Sequence, residues 1–150
     1  MAAISPCQIS TRVLHPMKIS LDDSGDAYLI QGYAPGEIRV LRPACDAFGE
    51  GLAVCHASLI VSAARLITDW VPQHFDELAT SHFEVLKEID PEVLLIGTGP
   101  RLRLPSPPLL APLVRLRAGF EVMDTPAACR TYNLLVGEGR RVAAALIIGG

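Results

Sequence analysis

Apolar residues along this chain first recur with the short period of strands and then, beyond Thr80, with the longer period of helices, so sheet-forming segments should precede a strand and helix alternation. Tyr28 to Tyr33 and Ile38 to Leu41 are rich in aromatic and β-branched residues and flank Ala34-Pro35-Gly36-Glu37. Proline presets φ at the second turn position and glycine tolerates positive φ at the third, so a type II turn and an antiparallel hairpin are predicted. A longer connection containing Gly49 and Gly51 follows. Ser58 to Ser62 is a short apolar run, and Arg65 to Val71 alternates Leu66, Thr68 and Trp70 against Ile67, Asp69 and Val71. Both are expected to be strands.

Helical spacing then takes over. Ser81-x-x-Glu84 fits a capping box and opens a short amphipathic helix that stops before Pro91. Val93 to Ile96 has no polar face, the signature of a strand covered on both sides. Leu109, Leu113 and Leu116 predict a helix capped by Gly119. Pro112 removes one hydrogen bond there, so this helix either starts late or has an irregular first turn. Phe120 to Met123 is the next strand, Thr125 an N-cap with Pro126 at the first helical position, and Ala127 to Val136 a helix ended by Gly137 and Gly139. Val142 to Ile148 closes the chain as a strand. The expected fold is therefore α/β: residues 28–150 form a single domain with an N-terminal β-hairpin and a C-terminal βαβαβ run from Val93 to Ile148. Residues 1–27, with Pro6, Pro16, Gly25 and three aspartates, form a flexible N-terminal tail.

Composition narrows the classes. At 150 residues with half of them apolar, the chain can bury one sizeable core but not two. No window approaches the roughly 18 apolar residues of a membrane span, so direct membrane insertion is not expected. The N-terminus lacks the charged start and apolar stretch of a secretory signal, although Arg12 and Lys18 without an acid before Asp22 give it a faint likeness to a transit peptide. The net charge of −3 divides unevenly: residues 1–96 carry six basic and thirteen acidic residues (6 − 13 = −7), and residues 97–150 seven arginines and three acids (7 − 3 = +4). Arginine suits carboxylate and phosphate, yet Arg115, Arg117, Arg140 and Arg141 are expected to do no more than solvate helix and turn surfaces. Nucleic acid is not an expected partner, because aromatic residues do not interleave with the basic ones. Cys7, Cys45, Cys55 and Cys129 show no C-x-x-C spacing and read as free thiols of a reducing compartment, the cytoplasm. Cys55-His56 with His74 and His82 has no recognised ligand spacing, so neither a metal nor a cofactor is expected.

The candidate chemistry gathers at one sheet edge. If the strands Val93 to Ile96 and Phe120 to Met123 run parallel through a right-handed crossover, their carboxyl ends emerge together, the place where open α/β sheets bind ligands. Gly97, Thr98 and Gly99 would bring backbone amides there, the helix from Pro126 its free N–H groups, and Arg101, Arg103 and Arg130 positive charge. Gly-Thr-Gly by itself is equally a tight turn. Cys129 in the first turn of that helix could be an activated thiol, but it shares a face with Tyr132 and Val136 and packing in the core is the preferred reading. Asp124 is preferred as a helix cap over a general base. Asn133 is either an interior hydrogen-bond partner or part of the pocket. The absence of G-x-x-x-x-G-K-[ST], G-x-S-x-G and H-E-x-x-H disfavours NTPases, α/β hydrolases and zinc proteases.

The run from Glu121 through Met123-Asp124-Thr125-Pro126-Ala127-Ala128-Cys129-Arg130-Thr131-Tyr132-Asn133, with Gly97-Thr98-Gly99, Ser58 to Ser62 and Gly137 to Ala144, resembles a small uncharacterised bacterial and archaeal family. Its eukaryotic relatives include the third assembly factor of mitochondrial respiratory complex I. The resemblance covers roughly Tyr28 to Ile148. It implies a three-layer fold with a central mixed sheet and no established catalytic activity. The function it implies is that of a non-enzymatic interaction or assembly protein with protein partners. The alternative is a binder of a small anionic ligand, or an enzyme, using the edge described above. Two departures affect contacts in their regions: Leu102 stands where relatives often have glutamine, and the link from Arg42 to His56 is longer than usual.

Overall fold

The computed structural model describes residues 26–149, so the tail expected over residues 1–27 lies almost wholly outside the described residues. Among the described residues the first strand is β1 (Leu29–Ala34), which pairs antiparallel with β2 (Glu37–Arg42). Ala34 faces Glu37 across the connection, and Gly36 at φ 75° supplies the left-handed conformation that the turn requires. A register shift between Ile30 and Gly32 makes a bulge in β1. The connection after β2 holds a strand that the pattern did not announce, β3 (Gly51–Cys55), antiparallel to β2. Its inward residues Ala53 and Cys55 are small and its outward residues Leu52 and Val54 are apolar, so no polar alternation marks it.

A second, five-stranded sheet forms the centre of the molecule. It contains β4 (Leu59–Ser62), β5 (Leu66–Ile67), β6 (Val93–Gly97), β7 (Gly119–Met123) and β8 (Val142–Leu146), in the order β5-β4-β8-β6-β7. β6 is parallel to both neighbours and β4 is antiparallel to β8, so the sheet is mixed. The strand expected over Arg65 to Val71 is confined to Leu66–Ile67. Trp70 instead turns its indole N–H to the carbonyl of His82, at 2.9 Å, and packs on Phe83.

Among the described residues three α-helices accompany the sheet: α1 (Leu86–Ile89), α2 (Pro107–Arg115) and α3 (Thr125–Gly137). The crossover from β6 through α2 leads outward to β7, and that from β7 through α3 leads back past β6 to β8. Two crossovers of one hand in opposite directions place their helices on opposite faces. The core divides accordingly. Leu95, Val142, Ala144 and Leu146 pack with Ala128 and Tyr132 of α3 and with Ile30, Ile38 and Val40 of the small sheet. Their neighbours Leu94, Ile96, Ala143, Ala145 and Ile147 pack with Trp70, Phe83, Leu86 and Leu113. The result is the expected three-layer α/β arrangement, with the mixed sheet buried between.

Several local expectations need correction. The predicted capping box at Ser81 is displaced: Ala79 donates its N–H to His82 Nδ1 at 3.0 Å, while Glu84 pairs with Lys87 at 3.0 Å. The segment breaks into 3-10 turns at Phe75–Glu77 and Thr80–Phe83 before α1, which ends with Asp90 left-handed at φ 53°. In α2, Pro107 and Pro108 occupy the first turn, where an N–H has no intrahelical acceptor, and Pro112 sits inside the helix. Gly119 is not its cap. Arg117 takes the left-handed position at φ 64°, and Gly119 opens β7 with its N–H on the carbonyl of Glu92 at 3.0 Å. The thiol expectation fails at Cys45, which is disulfide-bonded, whereas Cys55 and Cys129 are free and buried. Spacing along a chain cannot show which sulfurs meet in space. Among the described residues no helix is long and apolar enough to cross a membrane.

Candidate functional site

At the carboxyl edge of the central sheet the loops after β6 and β7 do meet, and they bond to each other. Thr98 donates its N–H to Met123 O at 2.9 Å, and Thr125 donates to Gly99 O at 2.8 Å. The hydroxyl of Thr125 accepts from Gly99 N–H at 2.8 Å and donates to Ile147 O at 2.6 Å, so one buried side chain ties the ends of β6, β7 and β8. Thr98 shapes the following loop in the same manner, donating to Arg101 O at 2.7 Å and accepting from Arg103 N–H at 3.0 Å.

Thr125 is thus not the N-cap of α3, as the pattern suggested. Asp124 caps it, its carboxylate accepting from Ala127 N–H at 2.8 Å, and Thr125 is the first helical residue. The amides of Thr98, Gly99 and Ala127 therefore all have partners inside the protein. The glycines serve the same closure. A Cβ on Gly97 would lie 2.8 Å from Thr125 Oγ1, and one on Gly99, at φ 107°, 2.8 Å from Gly149 O. They let the protein's own segments approach one another.

Directly beside this knot lies a cleft of about 500 Å³. The tip of the β1–β2 hairpin folds over the edge and contributes Tyr33, Pro35 and Ile38, and the opposite side is built from Pro100, Pro126 and Ile148. Gly99 and Thr125 reach its lining. Glu37 also lines it, with its carboxylate held by Arg39 at 2.6 Å.

Of the three arginines expected here, none lines the cleft, and Arg130 comes nearest, through the hydroxyl of the lining residue Tyr33. Arg130 donates from Nη1 to the Tyr33 hydroxyl at 2.5 Å and, among the described residues, makes no ion pair. Arg103 turns to Asp76 at 2.8 Å and covers the Phe75 ring at 4.6 Å. Arg101 contributes its backbone carbonyl to the Thr98 loop, and its exposed side chain does not line the cleft.

Two other candidates belong to the scaffold. Asn133 pairs with the backbone of β1: its side-chain carbonyl accepts from Ile30 N–H at 2.9 Å and its amide donates to Ile30 O at 2.7 Å. One turn of α3 separates it from Arg130, just as three residues of β1 separate Ile30 from Tyr33. Cys129 is 1% exposed, and burial pushes its thiol up to about 12 against a smaller opposing pull from Arg130. A thiol so raised stays protonated in the folded state while the unfolded chain ionises near 9.0. The folded form then binds more protons, and stability must fall as pH rises from 9.0 towards 12. Thermal melts over that range should lose less stability in Cys129→Ala than in the parent. Equal losses would place the alkaline sensitivity on the other groups that burial holds protonated, Cys55, Tyr28 and Tyr132.

The hairpin residues of the cleft were not foreseen as site residues. Ala34-Pro35-Gly36-Glu37 announces a turn but carries no signal that the turn packs against segments around Pro100, Pro126 and Ile148, far later in the chain. A second feature also escaped the pattern: the outer face of the small sheet carries an apolar patch, Leu41 opposite Leu52 at 40% and 43% exposure and Val54 at 47%, beside Arg39, which lies opposite Val54 and bonds Glu37 and Gln31. Phe48, in the preceding loop, is 86% exposed.

Comparison with known proteins places these features in a wider group. The model of a family described as protein of unknown function (DUF498/DUF598) matches residues 30–147. A "13 kDa major membrane protein" of Francisella tularensis subsp. holarctica is 36% identical over 92 residues, covering 59% of this chain and 73% of that protein. The NADH dehydrogenase [ubiquinone] 1 alpha subcomplex assembly factor 3 of Bos taurus is 32% identical over 83 residues, 54% of this chain and 45% of its own length. The chain thus spans about half of that assembly factor. The crystal structure of a Bordetella parapertussis protein superposes with a TM-score of 0.67 at 31% identity, covering 81% of this chain and 96% of that one.

Proposed function

The chain belongs to the DUF498/DUF598 family, and from that premise we propose that it is a non-enzymatic assembly protein that binds subunits or factors of a respiratory NADH dehydrogenase through the outer face of its small sheet. One observation carries the proposal: Leu41, Leu52 and Val54 form an exposed apolar patch, bordered by the Arg39–Glu37 pair, on the solvent side of the small sheet. The similarity to an assembly factor supports the choice of partner. The fate of the two candidate catalytic groups supports the absence of chemistry, since Asp124 is spent on a helix cap and Cys129 is a buried, protonated thiol. The cytoplasmic placement expected from the sequence remains part of this proposal, and the Cys45 disulfide weighs against it, because reducing compartments disfavour such bonds.

The test is genetic and biochemical together. Removing the protein from its source cells should lower the amount of assembled NADH dehydrogenase. The parent chain should restore it, and a Leu52→Asp, Val54→Asp double variant should fail while folding normally, since both side chains face solvent. Capture on the tagged parent should retain subunits of that enzyme, about tenfold more than on the variant, as the loss of an apolar contact centre implies. Undiminished NADH dehydrogenase in the deleted cells, or full rescue by the double variant, would remove the proposal.

A further inference from the structure

We propose that the cleft beneath the hairpin tip binds a small monocarboxylate with an apolar body, the carboxylate resting on Arg130 beside the Tyr33 hydroxyl and the body lying between Ile38, Pro126 and Ile148. This site is separate from the exposed sheet face, so either can fail alone.

The volume is the first argument. About 500 Å³ falls within the range of small-molecule sites, and the walls are apolar with few polar groups, the usual make-up of such a site. The shape is also held rather than improvised. Pro35, Pro100 and Pro126 have restricted backbones, and Thr125 locks the loops beneath. A ligand would not have to order these walls on entry.

Charge selects the class. The helix and loop amides on which an anion could have sat are already bonded, so an anion at this edge needs a side-chain cation. Arg130 does not itself line the cleft, but it is exposed, hydrogen-bonds the hydroxyl of the lining residue Tyr33, and pairs with no carboxylate among the described residues, so it is the cation nearest this space. Its planar fork is matched to a carboxylate. The Tyr33 oxygen accepts from Arg130, which leaves its own proton to donate to the same anion. Glu37 argues against a dianion. Its charge is offset by Arg39, not removed, and a phosphate would meet it with only one guanidinium for support.

The full chain would be titrated with octanoate, octanol and inorganic phosphate while the backbone amides are followed by NMR. Octanoate should shift Tyr33, Ala34, Gly36, Gly99 and Ile148. Octanol should bind about tenfold more weakly and phosphate should leave these amides unmoved, as expected when one charge-assisted contact fixes the ligand. Arg130→Gln, at an exposed position, should weaken octanoate about tenfold and leave octanol unchanged, with Arg115→Gln on the opposite layer as the control. Octanoate and octanol binding equally, with Arg130→Gln without effect, would overturn the carboxylate class. Shifts confined to Leu41, Leu52 and Val54, or none at these cleft amides, would overturn the site.

Discussion

Thr125→Val should lower the unfolding free energy by about 3 kcal/mol, although it replaces a methyl-bearing side chain with one of nearly the same shape. The whole effect comes from one oxygen. In the parent it accepts from Gly99 N–H and donates to Ile147 O, both in the interior, at 2.8 and 2.6 Å. Valine leaves a donor and an acceptor unsatisfied, each costing about 1–3 kcal/mol when buried. Thr125→Ser keeps the oxygen and loses a methyl, at roughly 1 kcal/mol. Urea denaturation of the three proteins checks this, with the slope required to stay constant so that midpoints report stability. If valine and serine were equally mild, the three strand ends would be joined by something other than this hydroxyl.

Tyr132→Ala should be costlier still, about 4 kcal/mol. Its ring is fully buried in the layer shared by α3, the small sheet and the central sheet, and its hydroxyl donates to Tyr28 O at 2.8 Å. Tyr132→Phe retains the ring and strands only that carbonyl, so it should cost roughly 1–2 kcal/mol. The gap between the variants measures packing separately from the hydrogen bond. A phenylalanine as harmful as alanine would mean that the tie to Tyr28, which anchors the chain just before β1, dominates over the ring.

The parts of this fold that were legible are those in which local and tertiary demands coincide. Val93 to Ile96 is apolar on both sides because helices cover both faces, and Pro35-Gly36 can hardly be anything but a turn. The illegible parts are those in which a distant contact decides. β3 carries apolar residues outward, so its pattern is silent, and Trp70 leaves the sheet to reach His82, cutting short a strand whose alternation was clear. The site shows the same division. The meeting of Gly97–Gly99 with Thr125 followed from parallel strands alone. That the meeting is filled by a threonine hydroxyl, and that the open space beside it belongs to Tyr33, Pro35 and Ile38, depends on a hairpin packed back from far earlier in the chain.

Asn133 has a consequence for how this molecule behaves in company. β1 is an outer strand of the small sheet, and the Asn133 carboxamide offers Ile30 one donor and one acceptor, as the peptide of an adjoining strand would. With the bulge next to it, this side of the sheet is sealed against strand addition from another chain, the route by which sheets polymerise and aggregate. β3, the opposite outer strand, has no carboxamide pairing of this kind among the described residues, only a single bond from Arg42 Nη1 to Leu52 O at 3.2 Å, and its Leu52 and Val54 side chains are exposed. Addition of a second copy to this sheet would therefore proceed through β3 and end there, because that copy's own β1 side is already closed.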